Sequence, residues 1–246
     1  MRFHLIRVIA IAIYLGAFVT CLNAQTPRPS ADEVVATMLV RDAARDAASG
    51  GYMGQREYVL ENQGLHKRAE MLVSVSCDGN GMKHFEVLSE DGWKSANKRV
   101  LHQMVETESD SSRPQTRAKN RITSDNYSFR MIETALLDRR MAYVIEATPK
   151  RDDKALFHGR IWVDAEDYAL VRIEGEPAKN PSFWTRKVDF VQQYYKSGTF
   201  WFPLSTTSVT NARIFGTTEV TIRYFDYKPL AKVPDPSMWE AANVRH

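Results

Sequence analysis

The spacing of apolar residues changes character along this chain, and each change predicts an element. Val35, Met38, Leu39, Ala43 and Ala47 recur at helical spacing behind Ser30, with Glu33 three residues on. A Ser and a Glu so placed make a capping box, so a helix is predicted from Ser30 to Ala48, ended by Gly50-Gly51. From Tyr52 the period becomes two, with Tyr52–Glu61, Lys67–Cys77 and Lys83–Ser89 reading as three strands separated by turns at Gly64 and Asp78-Gly79-Asn80-Gly81. Helical spacing returns from Trp93 to about Glu106, where Trp93, Ala96, Val100, Leu101 and Met104 line one side. Ser109–Asp125, rich in Ser, Arg, Asn and Asp, reads as a solvated loop with a helical turn, or as a basic contact for anionic headgroups.

Seven further β-rich runs follow: Asn126–Glu133, Met141–Thr148, Leu156–Val163, Tyr168–Gly175, Trp184–Tyr194, Thr199–Val209 and Thr217–Tyr227. Turn signals between them include Asp138, Asp164–Asp167, Asn180-Pro181, Gly198 and Gly216, and Pro229, Pro234 and Pro236 mark an extended tail. The connections are too short for parallel crossovers. A mainly β fold with helices (α+β) is therefore expected, about ten strands forming one antiparallel sheet. One face is apolar throughout: Met71, Val73 and Val75; Tyr143 and Ile145; Phe157, Ile161 and Val163; Ile173; Val188 and Phe190; Val220 and Ile222. Such a sheet curls, and the natural way to bury its apolar face is to curl it round the helix stripes, Val35, Met38 and Leu39 with Val100, Leu101 and Met104.

The N-terminus carries a different pattern. Arg2 and Arg7 precede the apolar run Val8–Val19, which is too short to span a bilayer, and Ala24 supplies a small residue for cleavage. Residues 1–24 therefore read as a Sec signal peptide and 25–246 as a single periplasmic domain. A lipid anchor at Cys21 fits less well, because Thr20 stands where lipoprotein signals use a smaller residue. Cleavage leaves 31 basic against 30 acidic residues, a balance that argues against nucleic acid as a partner. It also leaves Cys77 alone, so no internal disulfide forms, and its strand setting reads as a small buried apolar position.

Motif chemistry is sparse. The chain has no GxSxG, P-loop, GxGxxG or HExxH segment, and His66, His84, His102, His158 and His246 lack zinc-ligand spacing. Asp164–Asp167 reads as a hairpin turn rather than a calcium loop. No catalytic residue, metal or cofactor is expected. Phe183-Trp184 and Phe200-Trp201-Phe202 put rings on both faces of their strands, as core, as a lipid-binding wall or as a partner contact.

Two segments resemble a known family. GRIWVDAEDYALVRIEGEP (Gly159–Pro177) is similar to the strand, Trp-x-Asp, turn, strand hairpin of lipoprotein-sorting-like proteins, and SFWTRKVDFVQQYYKSGTFWFPLS (Ser182–Ser205) to the hairpin that follows it. With the order of elements, they make the chain resemble the LolA/LolB-type carriers of outer-membrane lipoproteins. That superfamily also includes periplasmic regulators of the RseB/MucB type, whose second domain 222 residues are too few to supply. The resemblance implies an unclosed β-barrel with those helix stripes as a lid over the apolar face as a cavity wall. It also implies a non-enzymatic carrier of a lipoprotein acyl chain or other lipid, while peripheral membrane contact would come from the basic Ser109–Asp125 stretch, which is not a feature of the carriers. The alternative is an envelope-stress or interaction module that binds a protein partner and fills its cavity with its own side chains.

Overall fold

The structure, a computed structural model, describes residues 28–180, 185–212 and 216–232. Residues 1–24 with Cys21, the Phe183-Trp184 pair, Pro234, Pro236 and His246 lie outside them.

Helix α1 (Ala31–Ala48) opens on the predicted capping box, the Ser30 side chain bonding Glu33 N while the Glu33 carboxylate reaches back to Ser30 N. Three strands follow, β1 (Gly51–Asn62), β2 (Lys67–Asp78) and β3 (Lys83–Gly92). A continuous helical passage comes next: α2 (Lys94–Ala96), a π-helical turn (Asn97–Leu101) and α3 (His102–Ser111). Then come α4 (Pro114–Asn120) and seven strands: β4 (Tyr127–Leu137), β5 (Arg140–Pro149), β6 (Phe157–Asp164), β7 (Leu170–Pro177), β8 (Thr185–Ser197), β9 (Phe200–Ala212) and β10 (Gly216–Pro229).

All ten strands join one antiparallel sheet in the order β3-β2-β1-β10-β9-β8-β7-β6-β5-β4. The pairing of β1 with β10 brings the first hairpin beside the end of the meander. Strands β3 and β4 are the free edges, so the curled sheet does not close, and the helical passage connects one edge to the other. This is the unclosed antiparallel α+β architecture expected from the sequence. Gly159 and Gly175 face each other across β6 and β7, where a Cβ on Gly159 would lie 1.9 Å from the Glu174 carbonyl oxygen. Beyond β10, Leu230 exchanges backbone hydrogen bonds with Gly50 and Gly51, fastening the tail under the α1–β1 junction.

The helices and the sheet bury one another in two separate cores. In the first, Ala96, Leu101 and Val105 pack on Tyr58, Leu60, Met71, Val73, Val75, Val220 and Ile222. In the second, Ala31, Val34, Val35 and Met38 pack on Ile145, Ala147, Phe157, Ile161, Val163 and Ile173. The first core thus lies toward β3–β10 and takes in Phe202 of β9, and the second lies toward β7–β4 with Phe190 and Tyr194 of β8 packed against it.

Two helical stripes differ from the sequence expectation. Val100, expected on the inward face, is 38% exposed, whereas Leu101 is fully buried. The π-helical turn is the cause, since its wider repeat moves the inward position from Ala96 on to Leu101 instead of Val100. On α1 the apolar stripe stops at Met38. Ala43 and Ala47 are exposed, and the inward line 31, 34, 35, 38 continues through Asp42 and Arg45. The expected loop at Ser109–Asp125 is instead largely helical, in the end of α3 and in α4.

Candidate functional site

Over β8 and β9, where the two cores meet, the concave side holds a cleft of about 460 Å³. Its lining includes the polar second half of α1 (Asp42, Arg45, Asp46), Tyr52 and Arg56 of β1, Lys83 of β3, Glu108 of α3, Arg117 and Arg121 at α4, and the rings Tyr194, Phe200, Trp201, Phe202 and Tyr224. No helix among the described residues is long and apolar enough to cross a membrane.

The aromatic wall is continuous. Phe202 lies 5.9 Å from Tyr52, 5.5 Å from Tyr227 and 6.1 Å from Phe200, ring centre to ring centre, within the range of favourable ring pairs. Burial raises the Tyr52 and Tyr194 phenols above the ordinary tyrosine range and pushes Tyr224 up to about 12. These hydroxyls therefore remain protonated at neutral pH and add no negative charge to the wall.

Against the rings lies a charged network rooted in the first core. Arg56 is 2% exposed. Its Nε donates to Tyr227 Oη at 2.8 Å, and its Nη1 donates to Tyr58 Oη at 3.3 Å and Glu108 Oε2 at 2.5 Å. Its guanidinium also stands 4.8 Å from the Tyr224 ring and 5.1 Å from that of Phe85. Lys83 Nζ bonds the other Glu108 oxygen at 2.7 Å. Burial by itself would raise the Glu108 pKa, but Lys83 and Arg56 outweigh it and hold the carboxyl at about 2. Burial likewise opposes the charge on Arg56, and Glu108 with the tyrosines more than compensates, keeping it protonated.

The rim carries an excess of positive charge. Five cations line the cleft against three carboxylates, and Glu108 occupies two of the cations while Asp42 holds Arg45 at 2.5 Å. Arg117 Nη1 bonds only the neutral carbonyl of Asn80, at 2.9 Å. Arg121 lines the cleft beside it.

The Asp164–Asp167 cluster is the expected turn, and it braces the opposite wall. Asp164, 1% exposed, accepts two bonds from Arg140 at 2.5 and 2.8 Å and the backbone amides of Glu166 and Asp167. Burial opposes its charge, and these donors lower its pKa nonetheless. Asp167 receives Trp201 Nε1 at 3.1 Å and Lys196 at 2.6 Å, and Arg45 donates to the carbonyls of Asp167 and Tyr168. One turn therefore positions α1 and the Trp201 ring together. No group of three or more metal-ligating side chains occurs among the described residues. Cys77 is buried without a disulfide partner, and burial raises its thiol pKa.

None of the residues expected as cavity wall or lid lines this cleft. Met71, Val73, Val75, Val220, Ile222 and Leu101 belong to the first core, with Met104 packed at its edge. Ile145, Phe157, Ile161, Val163, Ile173, Val35 and Met38 belong to the second, flanked by half-buried Leu39, Tyr143 and Phe190. Val188 is buried beside them. The apolar face exists as expected, but the helices consume it. Of the aromatic positions singled out in the sequence, Phe200, Trp201 and Phe202 do reach the cleft. Arg56, Glu108, Asp42 and Arg45 escaped the sequence reading. A charged residue in phase with apolar neighbours, as Arg56 is with Tyr58 and Leu60, was the available signal.

A model of a family of unknown function, DUF5686, matches residues 120–227. No curated protein matches the chain. Among solved structures, a LolA superfamily protein from Nitrosomonas europaea is similar at 13% identity and a TM-score of 0.45, over 85% of this chain and 96% of that one. A DUF1329 family protein from Desulfovibrio piger is similar at 10% identity and 0.42, over 87% and 100%. An outer-membrane lipoprotein-sorting protein domain from Vibrio parahaemolyticus is similar at 11% identity and 0.41, over 85% and 97%.

Proposed function

We propose that the protein is a non-catalytic binding module of the bacterial envelope, exported by residues 1–24 and formed as one domain by the rest. In this reading it holds an amphiphile with an acidic headgroup. The observation that carries the reading is the cleft over β8 and β9, whose lining combines aromatic rings with an excess of cations. Its volume falls within the usual range for small-molecule sites, roughly 300–1,000 Å³. The rings would take the apolar part, at about 0.8 kcal/mol per methylene buried. Arg117 and Arg121 would meet the headgroup. A long acyl chain, such as that of a lipoprotein, would need more room and would have to lift α1 or α3 from its core, exposing the apolar face around Ile161 or Val73.

The test is titration of the chain with a dansyl-labelled fatty acid, together with mass spectrometry of lipid extracted from the purified protein. Saturable binding is expected, with Phe200→Ala weakening it about tenfold through loss of ring burial. Absence of both dye binding and extracted lipid would sink the reading.

A second reading, a module for an envelope protein partner, is favoured by β3. This free edge strand is exposed along most of its length, with Val87 and Leu88 at the surface. It requires a crosslinked partner and an empty cleft.

A further inference from the structure

Seven exposed cations gather on one face of the molecule: Arg113, Arg117, Lys119 and Arg121 around α4, and Lys150, Arg151 and Lys154 in the β5–β6 turn. They are far apart in sequence, and hydrogen bonds hold them together. Arg151 donates to the Lys119 carbonyl at 2.5 Å and to Asn126 Oδ1 at 2.6 Å. Asn126, itself 4% exposed, donates to the carbonyls of Ala118 and Arg121. Lys150 Nζ donates to the Ser124 carbonyl at 2.5 Å. The acceptors that order this face are therefore mainly neutral, and its seven cations outnumber the four carboxylates set among them, Asp110, Asp125, Asp152 and Asp153. The carboxylates among these segments are Asp125, Asp152 and Asp153, and only Arg151 is bridged to one of them, Asp153, at 3.5 Å. Arg113 pairs with Asp110 on α3. By contrast, Arg68, Arg130, Arg140, Arg172, Lys187 and Arg223 of the sheet each face a carboxylate.

We propose that this face docks the protein on an anionic bilayer surface. In a chain whose charges otherwise nearly cancel, a local excess of cations held by carbonyls forms a fixed positive surface, which suits a plane of phosphate headgroups. Arg117 and Arg121 belong both to this face and to the cleft rim, so docking would turn the cleft mouth toward the lipid. Docking does not depend on what the cleft holds.

The experiment is co-sedimentation of the full chain with vesicles of phosphatidylcholine alone or mixed with phosphatidylglycerol. The apolar run Val8–Val19 is present in every arm, and neutral vesicles report its contribution. An anionic excess is expected that falls as salt is raised from about 0.05 to about 0.5 M. The variant Lys119→Gln/Lys150→Gln/Lys154→Gln, which leaves the cleft lining untouched, should lose about fivefold in partition per site, roughly a hundredfold in all. Its circular dichroism should be unchanged. The control Arg130→Gln/Lys187→Gln/Arg223→Gln removes the same net charge from paired positions and should keep most of the binding. Equal binding to both vesicles, no loss in the first variant, or equal loss in both would overturn the proposal. So would full competition by inorganic phosphate at constant ionic strength, which would assign a discrete phosphate site instead.

Discussion

Arg56 is a cation inside a hydrophobic cluster, and it is tolerated because Tyr58, Tyr227 and Glu108 take up its donors. Removing one partner leaves the other charge stranded. Glu108→Gln is expected to destabilise the fold by about 3 kcal/mol, the low end for a buried pair, because Glu108 is 31% exposed. The double variant Arg56→Met/Glu108→Gln should cost less than the sum of the singles in a urea-unfolding cycle. The same pair sets a pH dependence. The folded pKa of Glu108, about 2, lies below its ordinary value of 4.5. Its contribution is therefore complete above about pH 4.5 and is lost as pH falls toward 2. Unfolding curves from pH 7 to pH 2 should show this loss in the wild type and a shallower acid slope in Glu108→Gln.

At the scale of elements, capping and periodicity decide most boundaries. Ser30→Ala removes the side-chain cap of α1 and is expected to cost about 1 kcal/mol, read as a lower thermal midpoint, while Ser30→Asp should preserve it. Gly159→Ala would drive a methyl into the Glu174 carbonyl across the β6–β7 pair. It should cost about 2–3 kcal/mol, whereas Gly198→Ala, with open space around it, would cost less and only through its positive φ. The capping box, the alternating strands and the turn glycines were all legible in the sequence, because each is set by residues within a few positions. The π-helical turn was not. A reading at 3.6 residues per turn placed Val100 inward, and contact with β2 and its neighbours selects Leu101. For the same reason the inward position of Asp42 and Arg45 went unseen, since an alanine stripe on paper looked the better core.

At the scale of the molecule, the cleft exists because two helical stripes are too short to cover ten strands. Helix α1 fills one flank and α3 the other, and between them β8 and β9 are only partly covered, Phe190 and Tyr194 packing on one core and Phe202 on the other. Met38→Asp would open the second core, and a loss of several kcal/mol is expected. If the cleft binds an amphiphile, saturating dansyl fatty acid should raise the melting midpoint of the wild type and not that of Phe200→Ala.

The sequence by itself determined the ten-strand antiparallel class, the helix ahead of the strands and the one-sided apolar pattern. These follow from periodicity and turn chemistry, which are local. Only the tertiary structure decided what covers the apolar face. Burial of a stripe depends on which surface arrives opposite it, and here each helix meets its own half of the sheet. It also gathered Arg56 with the Glu108 carboxylate across 52 residues and Arg151 with the Lys119 carbonyl across 32, because contacts at such separations are set by the tertiary fold rather than by neighbours in the chain.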